Sequence, residues 1–169
     1  MKADMSNNFE DTMLWGAMCL GFFGFLRAGE FTADSHFDPD KNLSREDISN
    51  DSHSQPSLMR VLIKRSKTDQ YGSGAYIFLA RIDSDICPVA AILAYLAVRP
   101  SVPGPLFIYE DGSYLSRSKL IQSLNHALSS AGIDTSFYKG HSFHIGAATT
   151  ASALDIQDNL IQKSGKMVK

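Results

Sequence analysis

Three short stretches of this 169-residue sequence carry cationic side chains in settings that suit the binding of an anion. Arg27 ends a long apolar run and is followed by Glu30. An arginine at the end of a buried helix needs a carboxylate partner or a bound anion, so the spacing fits either a structural ion pair or an anion site. Lys67 lies in a polar connector that contains glycine. It fits either a solvated hairpin or a mobile loop that presents its ammonium to a phosphate.

Two histidines form the third stretch. His141 and His144 are three residues apart, and this spacing places them on one face of a helix. They fit either a metal-ligand pair or two polar residues at the start of a helix, but no second pair of ligands stands out elsewhere. Cys19 and Cys87 both lie in apolar runs, and no Cys-x-x-Cys pair is present. The sequence therefore predicts no metal, no cofactor, no disulfide framework and a reducing intracellular setting.

The charge of the chain is divided unevenly. Hydrophobic residues make up 44% and charged residues 20%, the composition of a globular protein, and the net charge is −2. Residues 1–51 hold ten acidic and four basic side chains, whereas residues 52–169 hold eight acidic and twelve basic ones. This asymmetry indicates a surface that faces a polyanion. The longest uncharged run, residues 13–26, is too short to span a bilayer, so no membrane partner is expected.

The first third of the chain is predicted to form one helix and a loop. Residues 9–31 are apolar nearly all round, which predicts a single buried helix. The polar stretch 32–57 predicts a loop with a short strand near Leu43 or Ile48.

A β-hairpin and a series of helices are predicted to follow. Residues 58–66 and 75–80 are β-prone and are joined by a polar connector, which indicates a hairpin with a long loop. Four basic residues on its first strand and at its tip form a candidate DNA-binding set: Arg60, Lys64, Arg65 and Lys67. Helices are predicted after Asp85, from Ser116 to about Ala131, from Ser142 and from Asp155, with a short strand at residues 106–109. The predicted class is α+β, mainly α with a small hairpin sheet, in a single domain.

These blocks, taken in order, resemble the catalytic domain of the tyrosine recombinases, the phage-integrase family. The blocks are a helix ending in Leu-Arg-x-x-Glu, a hairpin with Ser-Lys-Thr-Asp, a Cys-Pro-Val before a helix, and His-Ser-Phe-His-Ile-Gly-Ala-Ala-Thr. The resemblance is strongest to the versions carried by eukaryotic mobile elements and covers residues 14–166. It implies a fold like that of the DNA breaking-rejoining enzymes.

The resemblance also implies roles for individual residues. In this family a tyrosine attacks a DNA phosphate, two arginines and a histidine hold the phosphate, and a hairpin lysine protonates the leaving oxygen. Aimed cationic donors of this kind stabilise the extra negative charge of the transition state. Arg27 matches the first arginine, Glu30 the supporting acidic residue, Lys67 the lysine and His141 the histidine.

The match departs from the family pattern at two positions and in two missing parts. His144 stands where the second arginine is usual, and a histidine lacks the guanidinium fork. Met167 stands where a tryptophan or histidine donor is usual. No nucleophilic tyrosine follows His141, and the smaller DNA-clamping, core-binding domain that precedes the family's catalytic domain is not found. We therefore expect residues 1–169 to form one catalytic-type domain that lacks both of these parts.

Three functions stay open at this point. The first is a domain that binds double-stranded DNA, associated with recombination and integration, that does not cut DNA alone. The second is a fragment, or an incomplete gene model, of an active strand-transferring recombinase. The third is a domesticated scaffold that binds proteins and not DNA. The first predicts an intracellular, nuclear protein whose partners are DNA and either a second copy or a full-length recombinase.

Overall fold

The structure, a computed structural model, describes residues 9–65 and 73–136 together with Phe143, Gly146, Thr149 and Thr150. Within these residues it contains helices α1 (Phe9–Phe23), α2 (Ala28–Phe31), α3 (Pro88–Val98) and α4 (Arg117–Ser130), a 3₁₀ turn (Arg45–Asp47), and strands β1 (Ile48–Asn50), β2 (Leu58–Ile63) and β3 (Ala75–Ala80). The strands form one antiparallel sheet in the order β1-β2-β3. The predicted α+β class is confirmed.

Helix α1 is the centre of the core, as its apolar composition predicts. It packs against α3 at Gly16, where an added Cβ would lie 3.4 Å from the Ala91 carbonyl oxygen and 3.5 Å from the Tyr95 Cβ. The inward residues of β2 and β3 alternate with outward ones and close the other side of the core, as the burial pattern of the two strands shows. The sheet therefore has one face on the core and one face in solvent.

The prediction of one helix over residues 9–31 is wrong, because the chain turns sharply after Phe23. Phe25 has a φ of 53°, the left-handed conformation that usually ends a helix at a glycine. Two hydrogen bonds complete this helix end: Leu26 N–H donates to the Gly21 carbonyl at 2.9 Å, and Phe25 N–H donates to the Phe22 carbonyl at 3.2 Å. The reversal buries Leu26 and starts a separate helix after Arg27.

The remaining predictions have mixed outcomes. The short strand near Ile48, the second hairpin strand, and the helices after Asp85 and Ser116 are confirmed, and the Ser116 hydroxyl accepts the Lys119 N–H at 3.2 Å. The first hairpin strand ends at Ile63 rather than residue 66. The strand predicted at 106–109 is wrong: among the described residues that segment forms one isolated bridge, between Ile108 and Tyr114. The predicted helix from Ser142 falls mostly outside the described residues, and the one from Asp155 falls wholly outside them.

A buried tyrosine adds side-chain hydrogen bonds to the few backbone bonds of the 106–109 segment. The Tyr95 hydroxyl accepts the Ile108 N–H at 2.9 Å and donates to the Leu106 carbonyl at 3.1 Å. Burial raises the pKa of Tyr95, so the phenol is neutral and can serve both partners. Arg99 adds bonds to the carbonyl oxygens of Leu106 and Pro105.

We expect Tyr95→Phe to lower the free energy of unfolding by about 1–3 kcal/mol, because it leaves a buried N–H without its acceptor. Urea unfolding with an unchanged m-value measures this loss. Phe9 packs edge-on against the same ring, at 5.9 Å between centroids, and serves as the comparison. A Phe9→Leu change removes ring contact but no hydrogen bond, so equal losses for the two variants would contradict the role of the hydroxyl.

Candidate nucleic-acid interface

Arg27 lies at the junction between the reversal and α2. Its backbone is extended, with φ −80° and ψ 145°, and it occupies the position immediately before the helix. The Glu30 carboxylate accepts the Arg27 backbone N–H at 2.8 Å, which caps the first turn of α2. The same carboxylate lies 3.4 Å from Nη1 of the guanidinium. Glu30 therefore bonds the backbone N–H of Arg27 and lies beside its guanidinium, and its role as the supporting acidic residue stays a prediction.

The guanidinium of Arg27 is neither buried nor fully solvated. Its side chain is 26% exposed, whereas that of Glu30 is 11% exposed. A guanidinium carries five N–H donors, and the contact with Glu30 is long, at 3.4 Å, and engages one nitrogen. The ion pair predicted from the sequence thus exists, and its geometry is compatible with an oxyanion at the same guanidinium.

An aromatic contact joins the arginine segment to the histidine segment. Phe31, at the end of α2, packs against Phe143, with ring centroids 6.1 Å apart at 78°. Phe143 is buried and helical, and both rings lie over Gly21, where an added Cβ would come within 2.9 Å of Phe31. The contact brings together two segments more than 100 residues apart in the sequence. His141, His144 and Lys67 themselves lie outside the described residues, so their roles stay predictions.

The structure separates the basic residues of the hairpin. Arg60 points outward from β2, and its guanidinium carbon lies 4.7 Å from the centre of the Tyr76 ring. Arg65 is exposed just beyond the strand. Lys64, in contrast, bonds within the chain: its Nζ lies 2.7 Å from Asp47 Oδ2 and donates to the Pro39 carbonyl at 2.7 Å.

Lys64 therefore has a structural role that the run of basic residues in the sequence does not reveal. Its side chain is 18% exposed and that of Asp47 only 8%. The pair attaches the loop before β1 to the end of β2. A DNA contact by Lys64 stays a prediction, and this geometry does not require one.

Both cysteines lie in the core of the described residues. Cys19 and Cys87 are free and buried. Burial, with a smaller contribution from neighbouring Cys87, raises the pKa of Cys19 to about 12, so this thiol is unreactive near neutral pH. The described residues contain no cluster of three or more potential metal ligands. None of the helices in the described part of the chain has the length and apolarity needed to cross a bilayer.

Solved structures with the same fold are DNA recombinases. Over 96% of this chain, the structure of XerH site-specific recombinase bound to difH substrate, a pre-cleavage complex, superposes with a TM-score of 0.66 at 17% identity. The FLP recombinase–Holliday junction complex matches 97% of the chain with a TM-score of 0.60 at 14% identity. The chain has the fold of a tyrosine recombinase catalytic domain.

The recombinase fold extends to a transposon enzyme and covers part of each solved chain. The Tn1549 transposon integrase, in complex with circular intermediate DNA, matches 96% of this chain with a TM-score of 0.54 at 11% identity. The chain spans 41% of the XerH chain, 40% of the FLP chain and 52% of the Tn1549 chain. No protein-family model matches the sequence, and no curated protein matches it.

The sequence motifs do not identify two features of the surface. One is the solvent face of the sheet, where Tyr76 and Phe78 are exposed. The signal was present in Ala-Tyr-Ile-Phe-Leu-Ala, because strict alternation puts aromatic rings on the side opposite the core. The other is a groove of about 910 Å³ between α1 and α4, lined in part by Trp15, Tyr109 and Lys119.

Proposed function

We propose that this chain is a DNA-binding tyrosine recombinase/integrase-like domain that acts in DNA recombination and integration. The observation that carries the proposal is the match, over nearly the whole chain, to recombinases solved with their DNA substrates. The Arg27–Glu30 arrangement supports it, because the family pattern places a phosphate-holding arginine with an acidic neighbour at this point. A mobile element or a nuclear gene derived from one is the proposed origin.

The proposed mode of binding places a DNA phosphate at Arg27. The guanidinium fork can pair with two phosphate oxygens while Glu30 holds the arginine from its other side. Lys67 and His141 are the proposed further contacts on the same phosphate, and exposed Arg65 a contact on a neighbouring one. Since most contacts of this kind go to the backbone, they position the protein without selecting a sequence.

We propose in addition that this domain does not cut DNA alone. His144 occupies the place of the second arginine, and a single imidazole offers one donor to a phosphate oxygen where a guanidinium offers two. Removing one aimed donor from a transition state of this type typically costs about 10²–10³ in rate. The proposed activity is therefore binding, with strand cleavage left to a complete partner.

The experiment measures binding and cleavage in the same sample. Binding of a labelled duplex should weaken as salt rises, with a log–log slope near −1.8 if the two proposed phosphates are neutralised at about −0.9 each. A nicked duplex, which traps covalent phosphotyrosine, should give no protein–DNA adduct. An adduct would disprove the inactive proposal. Absence of duplex binding at low salt would contradict DNA binding itself and favour a protein scaffold.

A further inference from the structure

The solvent face of the sheet is apolar and aromatic. We define the outer sheet face by the outward residues of β2 and β3: Leu58, Arg60, Leu62, Tyr76, Phe78 and Ala80. An antiparallel sheet with one buried face normally carries polar residues on the other. Here Phe78 is 60% exposed and Tyr76 43%, the former being the most exposed large hydrophobic residue in the described part of the chain. A patch of this kind indicates an interaction surface.

Arg60 is the only charged residue among the six positions that define the outer sheet face. Arg60 lies directly opposite Phe78 in the strand register. Its guanidinium carbon lies 4.7 Å from the centroid of Tyr76, and its Nε donates to the Ser49 hydroxyl at 3.1 Å. The guanidinium therefore lies against the Tyr76 ring, on the strand that neighbours the exposed Phe78.

The charge of this face selects the chemistry of its partner. The six outward positions include no carboxylate, and Asp51, which follows β1, accepts the Ser57 N–H at 2.9 Å. A second copy packed face to face would bring two Arg60 side chains together, and like charges at an interface are unfavourable. An anionic partner with flat rings fits both the aromatic residues and the arginine.

We propose that the outer sheet face binds unpaired nucleotides, with a base stacked on Phe78 and the adjoining phosphate beside Arg60. Exposed aromatic residues on a sheet stack bases only where those bases are free of pairing, since duplex bases are already stacked on one another. This site lies on the side of the sheet opposite the core that carries α1. It goes beyond duplex binding at Arg27 and does not depend on it.

The experiment compares single-stranded and duplex probes on the full chain. Fluorescence anisotropy measures the Kd for a labelled oligothymidine, which has no secondary structure, and for a labelled duplex hairpin. Phe78→Thr keeps a residue that favours strands but removes the ring, and it should weaken oligothymidine binding about tenfold with the duplex Kd unchanged. Phe78→Trp should restore binding, and Arg60→Gln should reduce the single-strand salt slope by about 0.7.

Two further variants make the result specific to stacking. Val98→Ala trims another exposed apolar side chain, 53% exposed at the end of α3, and should leave both Kd values unchanged. Phe78→Leu keeps an apolar side chain without a ring and should behave like Phe78→Thr.

The proposal is overturned if the wild-type chain does not bind oligothymidine at low salt, or if Phe78→Thr leaves its Kd unchanged. A wild-type oligothymidine Kd for Phe78→Leu also overturns it, because the aromatic ring is then not needed for binding. Sedimentation tests for self-association. If the wild-type chain self-associates, Phe78→Thr does not, and both still bind oligothymidine, the face binds a second copy and the proposal is overturned. Loss of the duplex signal alone, with single-strand binding intact, instead counts against the proposed function.

Discussion

Replacing Arg27 with alanine is expected to raise the Kd for duplex DNA about tenfold or more. A hydrogen bond to a charged group contributes about 1.5–3 kcal/mol, and 1.4 kcal/mol is a factor of ten in affinity. The salt dependence should change as well, with the log–log slope becoming less steep by about 0.9 for the lost phosphate contact. Filter binding or anisotropy at several salt concentrations measures both quantities.

The fold should survive this substitution, so the binding result can be interpreted. The bond that caps α2 joins the backbone N–H of residue 27 to Glu30 and does not need the arginine side chain. The side-chain contact is a partly exposed pair at 3.4 Å, and such pairs contribute little to stability. Urea unfolding of Arg27→Ala should therefore differ from that of the wild type by less than about 1 kcal/mol.

Arg117→Ala is the matched control for this prediction. Arg117 is an exposed arginine at the first turn of α4, and its backbone N–H donates to Asp34 Oδ1 at 3.4 Å. Arg117→Ala removes one positive charge, as Arg27→Ala does, but at a position outside the proposed site. It should leave the duplex Kd nearly unchanged. Equal weakening by the two variants would mean that DNA responds to total charge, and an unchanged Kd for Arg27→Ala would mean that the arginine does not contact phosphate.

The conservative variant separates charge from shape. Arg27→Lys keeps the positive charge but replaces the planar fork with a single ammonium. If the site holds two phosphate oxygens at once, this variant should recover the salt slope but only part of the affinity.

The elements that the sequence predicts well are those set by neighbours in the chain. Pro88 begins α3 and Ser116 caps α4, because a missing N–H and a hydroxyl acceptor act within one turn of the helix. The failed prediction at residues 9–31 has a local cause as well. The rule for helix ends places glycine in the left-handed position, but here Phe25 takes that position and Gly24 precedes it.

Gly24 is required for another reason that the sequence does not show. An added Cβ there would lie 2.7 Å from the Leu20 carbonyl oxygen and 2.8 Å from Cδ1 of Ile77, a residue of β3. That close approach depends on a strand more than 50 residues away. Tertiary contact therefore decides which residue is tolerated where the helix stops.

The candidate site also contains some contacts that sequence spacing predicts and others that depend on residues far away in the sequence. Arg27 and Glu30 are three residues apart, so their pairing follows from helix geometry and was foreseen. The structural role of Lys64 depends on its contacts with Pro39 and Asp47, which are distant from it in the sequence. No periodicity in the basic run distinguishes Lys64 from Arg65, although one is bonded within the chain and the other is exposed.

Replacing Lys64 with methionine should therefore lower the free energy of unfolding by about 2–3 kcal/mol. Removing one partner of a buried ion pair typically costs about 3–5 kcal/mol, and the partial exposure of Lys64 reduces that figure. The Asp47 carboxylate would keep its 2.7 Å bonds to the backbone N–H and hydroxyl of Ser44 but lose its counter-charge. Urea unfolding with a constant m-value measures the loss.

A double substitution tests whether the loss comes from the unpaired carboxylate. Asp47→Asn should cost less in the Lys64→Met background than alone, since the charge left behind is then removed. Arg65→Ala is the neighbouring control, and the opposite profile is expected for it: unchanged stability and weaker duplex binding. If Lys64→Met instead weakens DNA binding and leaves the unfolding free energy unchanged, the lysine serves DNA and the ion pair with Asp47 contributes little to the fold.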